Sequence, residues 1–258
     1  MQLHPVCQGL LATLFTYSIT ALGAAVVFLF KKVPQKILDL MMGVSGGVMI
    51  AASYWSLLEP AIVLSEKLQQ NAAFMVAIGF TMGGLFIIAS DVFLEKILWK
   101  HNREGGKKRC ILLVTAVTMH NIPEGLAVGV AFGNAGIAAT QSSLLGAIML
   151  AVGIGIQNFP EGTCVAMPLR REGASRKKSF LIGQFSGIVE PIAGVIGALF
   201  ALRVQLALPL ALSFSAGAMI SVVCSELVPE SFRDNKHLAT LGILVGFVVM
   251  MVMDVALG

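Results

Sequence analysis

Long apolar runs alternate with short polar connections along the whole chain. Eight apolar segments can be drawn, at residues 8–30, 37–58, 72–98, 110–133, 143–169, 179–201, 207–228 and 238–257. Each has the roughly 20 residues that an α-helix needs to cross the hydrocarbon core of a bilayer. The pattern predicts an all-α integral membrane protein with eight transmembrane helices, forming a single transmembrane domain over residues 1–258.

Positive charges fall mainly in every second connection. Sixteen of the 18 lysines and arginines lie in the first, third, fifth and seventh loops, and only Lys67 and Arg203 lie in the others. Because basic loops favour the cytoplasmic side, both termini are predicted to be extracytoplasmic in a multi-pass protein of the cell membrane. Topology in a lipid bilayer explains these charges, so we expect no nucleic-acid partner.

A short repeat relates two of the predicted spans. Residues 45–50 (SGGVMI) match residues 215–220 (SAGAMI), and the predicted topology makes the two spans antiparallel. Inverted repeats are typical of secondary transporters, so helices 1–3 and 6–8 are predicted to repeat around helices 4–5. Two similar small-residue packing faces would explain the match equally well.

Glycine pairs four residues apart are frequent. They occur at positions 43/47, 79/83, 183/187 and 242/246. Such pairs let membrane helices approach closely. We expect most of them to pack inside the chain, although one could serve a homodimer interface.

Composition excludes a soluble domain. Hydrophobic residues make up 57% of the chain and charged residues only 12%, about half the charge of a soluble domain. The four cysteines (Cys7, Cys110, Cys164 and Cys224) form no CxxC pair. They therefore indicate small apolar helix residues rather than a disulfide framework or a structural zinc site.

Polar residues recur in one pattern near the middle of the fourth and fifth spans. Residues 120–125 read HNIPEG and residues 157–162 read QNFPEG. Residues three or four apart share a helix face, so His120, Asn121 and Glu124 point together. Burying a charged side chain at this depth costs at least ~2.5–3.5 kcal/mol. One such residue could be an interhelical hydrogen bond, but the duplication indicates a shared metal site.

Prolines and a third acid extend this polar cluster. Pro123 and Pro160 leave the carbonyls of Met119 and Ile156 without a donor, which membrane proteins tolerate beside a polar cavity. Glu190 in the sixth span is again followed by proline. No lysine or arginine lies near the centre of a span, so these carboxylates would stay protonated or recruit a cation. The ligand types suit zinc, iron(II) or manganese(II).

The two hexapeptides resemble the paired signature of the ZIP (ZRT/IRT-like protein) family of divalent metal transporters. The eight spans, the outward termini and the Glu-Pro of the sixth span also resemble that family, over essentially the whole chain. Position 157 is Gln where many eukaryotic members have His, and the third loop is short, with only His101. The pattern is therefore closer to prokaryotic, GufA-like members.

The resemblance implies a transporter, not an enzyme, that moves zinc into the cytoplasm; iron, manganese, cobalt and cadmium also fit. It implies a binuclear site on helices 4, 5 and 6, bridged by Glu124 and Glu161. One centre would hold His120, Glu124, Gln157 and Glu161. The second would add Asn121, Asn158 and Glu190 to the same two glutamates. The metal is cargo, so no catalytic cofactor is expected.

Two other functions remain open from the residues alone. A metal-selective channel would use the same ligands as a carrier. An intramembrane metalloenzyme is less favoured, because the chain has no HExxH motif and no nucleophile beside a base.

Acidic residues near the ends of the spans form a second group of candidates. These are Glu59 and Asp254 at the outer ends, and Asp91, Glu95, Glu226 and Glu230 at the inner ends. They could guide cations into and out of the site, although solvated helix ends explain them more simply.

Overall fold

A computed structural model describes residues 3–30, 34–99, 106–138 and 141–257. The described part of the chain is almost entirely helical and contains no β-strand. The α-helices are α1 (Pro5–Leu29), α2 (Gln35–Ala52), α3 (Glu59–Lys67), α4 (Ala72–Trp99), α5 (Gly106–Ala138), α6 (Gln141–Arg171), α7 (Arg176–Ser186), α8 (Val189–Arg203), α9 (Leu208–Val222) and α10 (Val228–Leu257). A 3-10 turn at Gln205–Ala207 precedes α9.

Six helical segments among these residues are long and apolar enough to cross a membrane. They are Pro5–Leu29, Gln35–Lys67, Ala72–Phe93, Leu144–Arg171, Arg176–Arg203 and Gln205–Ala256. Large apolar side chains such as Phe74, Leu85 and Leu244 are more than half exposed on the outside of the helices. The predicted all-α membrane class is therefore confirmed.

Several helix ends differ from the predicted spans. The second span was predicted to end at residue 58, but the helix continues through α3 to Lys67. Pro60 is the second residue of α3 and does not end the helix. The sixth span is divided at Gly187 into α7 and α8. The break in α10 at Asn235, whose φ is −143° and ψ 79°, instead falls in the connection predicted between the spans at 207–228 and 238–257.

A π-helical turn follows each of the two repeated segments, residues 45–50 and 215–220. Residues Ser53–Leu58 link α2 to α3, and residues Val223–Leu227 link α9 to α10. Each turn begins eight residues after the first serine of its hexapeptide. A π-turn widens the helix locally and often lies near a functional site.

The helices pack most extensively in four pairs. These are α2 with α10, α4 with α9, α1 with α6, and α5 with α8. The last two pairs also contact each other through α1, α5 and α8, which makes a bundle of α1, α5, α6 and α8. Helix α2 lies against this bundle by contacting α6, and α9 does so by contacting α5.

Glycines allow the closest of these approaches. A β-carbon at Gly47 would lie 2.1 Å from the carbonyl oxygen of Ile243, and one at Gly246 would lie 2.1 Å from that of Val44. The pairs at 43/47 and 242/246 therefore face each other between α2 and α10. The pair at 79/83 packs on α9, and the pair at 183/187 on α1. All four pairs are internal, so they give no support to a homodimer.

We expect Gly47→Ala to destabilise the protein by about 1–3 kcal/mol or more, because the new methyl group would meet backbone rather than a movable side chain. Gly146→Ala is the matched control, since nothing lies within 4 Å of a β-carbon there. Thermal unfolding of the purified variants in detergent measures both. An equal midpoint for the two variants would contradict the close helix approach.

Candidate metal centre

The two polar hexapeptides lie inside neighbouring helices. Helices α5 and α6 contact each other, and both continue through their prolines, Pro123 and Pro160. The polar side chains of the motifs that the structure describes are all buried: Asn121, Glu124, Gln157, Asn158 and Glu161. Local helix geometry thus gathers two carboxylates and three amides into the interior of the helix bundle.

The glycine at the end of each motif, Gly125 or Gly162, lets a neighbouring helix pack closely against it. A β-carbon at Gly125 would lie 2.5 Å from the carbonyl oxygen of Glu190 on α8. One at Gly162 would lie 2.1 Å from the carbonyl oxygen of Thr20 on α1. Any larger residue would push these helices away. The glycines therefore explain how the third acid and α1 reach the site.

The two motif glutamates each have one hydrogen-bonded oxygen and one without a partner. Gln157 Nε2 donates to Glu124 Oε1 at 2.5 Å, which joins α6 to α5. Ser45 Oγ on α2 donates to Glu161 Oε1 at 3.3 Å. Among the described side chains, Glu124 Oε2 and Glu161 Oε2 have no hydrogen-bond partner. Both side chains thus present a free carboxylate oxygen within the interior.

The two asparagines are fixed through their amide nitrogens. Asn121 Nδ2 donates to the carbonyl oxygens of Val117 at 3.0 Å and Ser186 at 3.1 Å. Asn158 Nδ2 donates to the carbonyl oxygen of Thr16 at 3.2 Å and to Glu190 Oε1 at 2.8 Å. Because the acceptors hold the NH₂ groups, each amide has a defined orientation that leaves its oxygen free.

Five buried oxygens in this cluster therefore lack a hydrogen-bond donor. They are Asn121 Oδ1, Glu124 Oε2, Gln157 Oε1, Asn158 Oδ1 and Glu161 Oε2. A buried polar atom without a partner costs about 1–3 kcal/mol, and more if it is charged. Oxygen ligands of this kind bind hard and borderline divalent cations. The arrangement thus supplies ligands for a dication.

Carboxylates alone do not complete a site. Among the described side chains, no three His, Cys, Asp or Glu residues are grouped so that they could hold a metal ion. The side chain of the predicted ligand His120 lies outside the described ones, although its backbone belongs to α5. Metal binding here would thus draw on amide oxygens as well as on the acids.

Glu190 differs from the other two acids because both its oxygens are occupied. It is buried near the start of α8 and accepts from the hydroxyls of Thr16 and Thr20, and from the Asn158 amide. Its side chain is joined to α6 by the Asn158 hydrogen bond, and its backbone carbonyl lies against Gly125 on α5. Glu190 is therefore a neighbour of both motif helices.

The outer pair of acids lines a separate cavity. Glu59 and Asp254 lie on a cavity of about 640 Å³ with Ser56 and Asn134. Ser56 Oγ donates to Asp254 Oδ1 at 2.8 Å, and Asp254 Oδ2 has no partner. The structure thus brings these two predicted residues together, as the sequence alone could not.

The inner acids are less informative. Glu230 pairs with Arg233 at 3.6 Å on a half-exposed surface, where such a pair contributes little. Asp91 and Glu226 both have interaction partners. The side chain of Glu95 and all of His101 lie outside the described residues.

Three hydroxyl residues of the cluster escaped the sequence analysis. Ser45 is the first residue of the repeated segment 45–50, but nothing in that repeat links it to Glu161. Thr16 and Thr20 are four apart on the first span and continue a line that begins at Thr13. Three buried threonines on one face of an apolar helix were the available signal.

Comparison with known proteins agrees with the resemblance noted in the two hexapeptides. The family described as ZIP zinc transporter matches residues 100–254. The zinc transporter ZIP11 of Bos taurus is 38% identical over 336 residues, with 98% of each chain covered. The zinc transporter GufA of Myxococcus xanthus is 38% identical over 258 residues, covering 97% of this chain and 99% of GufA.

A third relative is the zinc transporter ZIPB of Bordetella bronchiseptica, which is 34% identical over 253 residues, covering 94% of this chain and 79% of ZIPB. These relatives match along nearly the full length of the chain, and the family match includes both hexapeptides. The chain therefore belongs to the ZIP family, as a GufA-like transporter rather than an enzyme.

Proposed function

We propose that this protein carries divalent transition-metal ions, zinc first among them, across the membrane into the cytoplasm through a binuclear site. The observation that carries the proposal is the set of five buried oxygens without donors on α5 and α6. A passing dication would satisfy them together, and no fixed positive charge of the described cluster does so.

The proposed ligands divide between two centres. His120, Glu124, Gln157 and Glu161 hold the first ion. Asn121, Asn158 and Glu190 join the same two glutamates around the second, so that Glu124 and Glu161 bridge. Support comes from the contact between Glu124 and Gln157 and from the orientation of both asparagine oxygens.

Zinc is the first choice because the relatives at 34–38% identity are named zinc transporters. Iron(II), manganese(II), cobalt(II) and cadmium are the other candidate cargoes, since carboxylate, amide and imidazole ligands accept all of them. The free thiol of Cys164 is buried on the same helix as Glu161, but soft-ligand chemistry is not required for any of these ions.

We further propose eight crossings in a single transmembrane domain of the cell membrane. The segment Gln205–Ala256 has 52 residues, about 78 Å of helix at 1.5 Å per residue, which is more than twice the ~30 Å hydrocarbon core. The break at Asn235 divides it into two spans, and α5 supplies another. The odd-numbered basic loops then face the cytoplasm, with both termini outside.

An inverted repeat of helices 1–3 and 6–8 fits the packing. Exchanging α2 with α9 and α10 with α4 converts the pair α2–α10 into the pair α9–α4. Exchanging α1 with α8 and α6 with α5 converts α1–α6 into α8–α5. These two helix pairs and the two pairs they are converted into are the four most extensive helix contacts. A π-helical turn also follows each of the repeated segments 45–50 and 215–220.

We predict that Glu124→Ala and Glu161→Ala each reduce uptake of radioactive zinc by more than the roughly 10–100-fold that loss of an outer-shell partner causes. Glu172→Ala is the matched control, because this acid is exposed at the cytoplasmic end of α6. Uptake is measured in vesicles with equal amounts of each protein. Normal uptake by both site variants would refute the assignment.

We also predict that zinc stabilises the purified protein. An ion that binds only the folded state adds about 2.7 kcal/mol at 100 times its dissociation constant. The unfolding midpoint should therefore rise with zinc in the wild type and in Glu172→Ala. A comparable rise in the double variant Glu124→Ala/Glu161→Ala would place the bound zinc elsewhere.

Uptake should slow in acid. Metal ligands must be deprotonated to bind, so protons compete with zinc for Glu124 and Glu161. Initial rates are compared at about pH 7.5 and about pH 5.5, with the same pH on both sides of the vesicle to remove any gradient. Equal rates at subsaturating zinc would contradict competition at the carboxylates.

A further inference from the structure

Helix α1 presents a line of buried hydroxyls to the third acid of the cluster. Thr13, Thr16 and Thr20 are completely buried. Thr16 Oγ1 donates to Glu190 Oε2, and Thr20 Oγ1 donates to Glu190 Oε1 at 3.5 Å. The Asn158 amide donates to Oε1 as well. Both oxygens of Glu190 thus accept hydrogen bonds from protein groups.

Among the described residues, the other two acids have a hydrogen-bond donor at only one of their two oxygens. Glu124 and Glu161 each keep one oxygen without a partner, so a cation gains a ligand from them without displacing a hydrogen bond. A cation that draws both oxygens of Glu190 to itself must first compete with the hydroxyl of Thr16. Breaking the hydrogen bonds of Glu190 is therefore the main energetic cost that these three acids impose on cation binding.

Each of the two hydroxyls has a second acceptor on its own helix. Thr16 Oγ1 lies 3.0 Å from the carbonyl oxygen of Thr13, and Thr20 Oγ1 lies 3.3 Å from that of Thr16. A hydroxyl has one proton and can donate it to one acceptor at a time. When Glu190 leaves, both threonines can turn to these carbonyls, so no buried donor is left unsatisfied.

Helices α1 and α8 pack closely around this carboxylate. The backbone of Glu190 lies directly against Gly125, and the carbonyl of Thr20 directly against Gly162. A β-carbon at Gly187 would lie 3.3 Å from Glu190 Oε1, so glycine at this position keeps that side of the carboxylate clear. An exchange of partners at Glu190 is therefore a side-chain movement between closely packed helices.

We infer that Thr16 and Thr20 form a hydroxyl dock on α1 that holds Glu190 when no metal is bound and releases it to a divalent cation. The inference rests on the proposed function of the site. The two threonines are positioning residues: they do not touch the cation, but they set how tightly it binds. By taking Glu190 back, the dock also assists release of the cargo.

Zinc binding to purified protein tests the dock directly. Thr16→Val removes the hydroxyl and keeps the shape, which weakens only the metal-free state. We expect roughly tenfold tighter zinc binding, the equivalent of one hydrogen bond to a charged group. Vesicle uptake should show a lower half-saturating zinc concentration together with a lower maximal rate. Thr20→Val should act in the same direction, to a smaller extent because its hydrogen bond is longer.

Three further variants make the result specific. Thr16→Ser restores the hydroxyl and should restore wild-type affinity. Thr13→Val is the matched control, because the Thr13 hydroxyl donates only to the carbonyls of Gly9 and Leu10. In a Glu190→Gln background, Thr16→Val should no longer tighten zinc binding.

Weaker binding by Thr16→Val would overturn the inference, since the threonine would then be aiming Glu190 at the metal. Unchanged affinity in both valine variants would also overturn it and leave a structural role only. These outcomes are separate from failure of the proposed function, which would appear as absence of zinc binding and uptake in the wild type.

Discussion

Hydrogen bonding by the side-chain amides determines which buried oxygens in the helix bundle are left without a donor. The NH₂ groups of Asn121, Gln157 and Asn158 are all engaged by neighbouring acceptors. Their oxygens are left without a donor among the described residues, as is one carboxylate oxygen each of Glu124 and Glu161. Such a concentration of buried acceptors without donors is costly in a low-dielectric interior. In the proposed function a passing cation offsets this cost, which links the fold to transport.

The rest of the site follows from how closely helices can approach. Gly125 and Gly162 bring α8 and α1 against the two motif helices at the level of the glutamates. Both oxygens of Glu190 are hydrogen-bonded, whereas Glu124 and Glu161 each have one oxygen without a hydrogen-bond partner among the described residues. Chemically similar acids therefore have different surroundings: two keep an oxygen without a donor among the described residues, and both oxygens of the third are hydrogen-bonded. In the proposed mechanism, the third acid is exchanged from the hydroxyls to the ion, so that the site can bind its cargo and still release it.

Sequence reasoning reached the class of fold and the family, because a hydrophobic run and a duplicated xNxPEG motif are local signals. The continuation of the second helix to Lys67 and the break at Gly187 were not predicted, since tertiary packing overrides the local helix signals there. The break at Asn235 lies in the connection predicted between the seventh and eighth spans. The partners Ser45, Thr16 and Thr20 were also missed, because a pattern within one helix does not show which side chain more than 100 positions away it contacts. The cavity shared by Glu59 and Asp254 depends on the same long-range packing.

The central claim is that a dication binds to oxygen and nitrogen ligands on α5, α6 and α8. Zinc K-edge X-ray absorption of the purified, zinc-loaded protein measures the ligand shell directly. We expect oxygen and nitrogen neighbours at about 2.0–2.2 Å and no sulfur shell at about 2.3 Å, with the signal lost in Glu124→Ala/Glu161→Ala. A sulfur shell, or an unchanged spectrum in that variant, would contradict the claim.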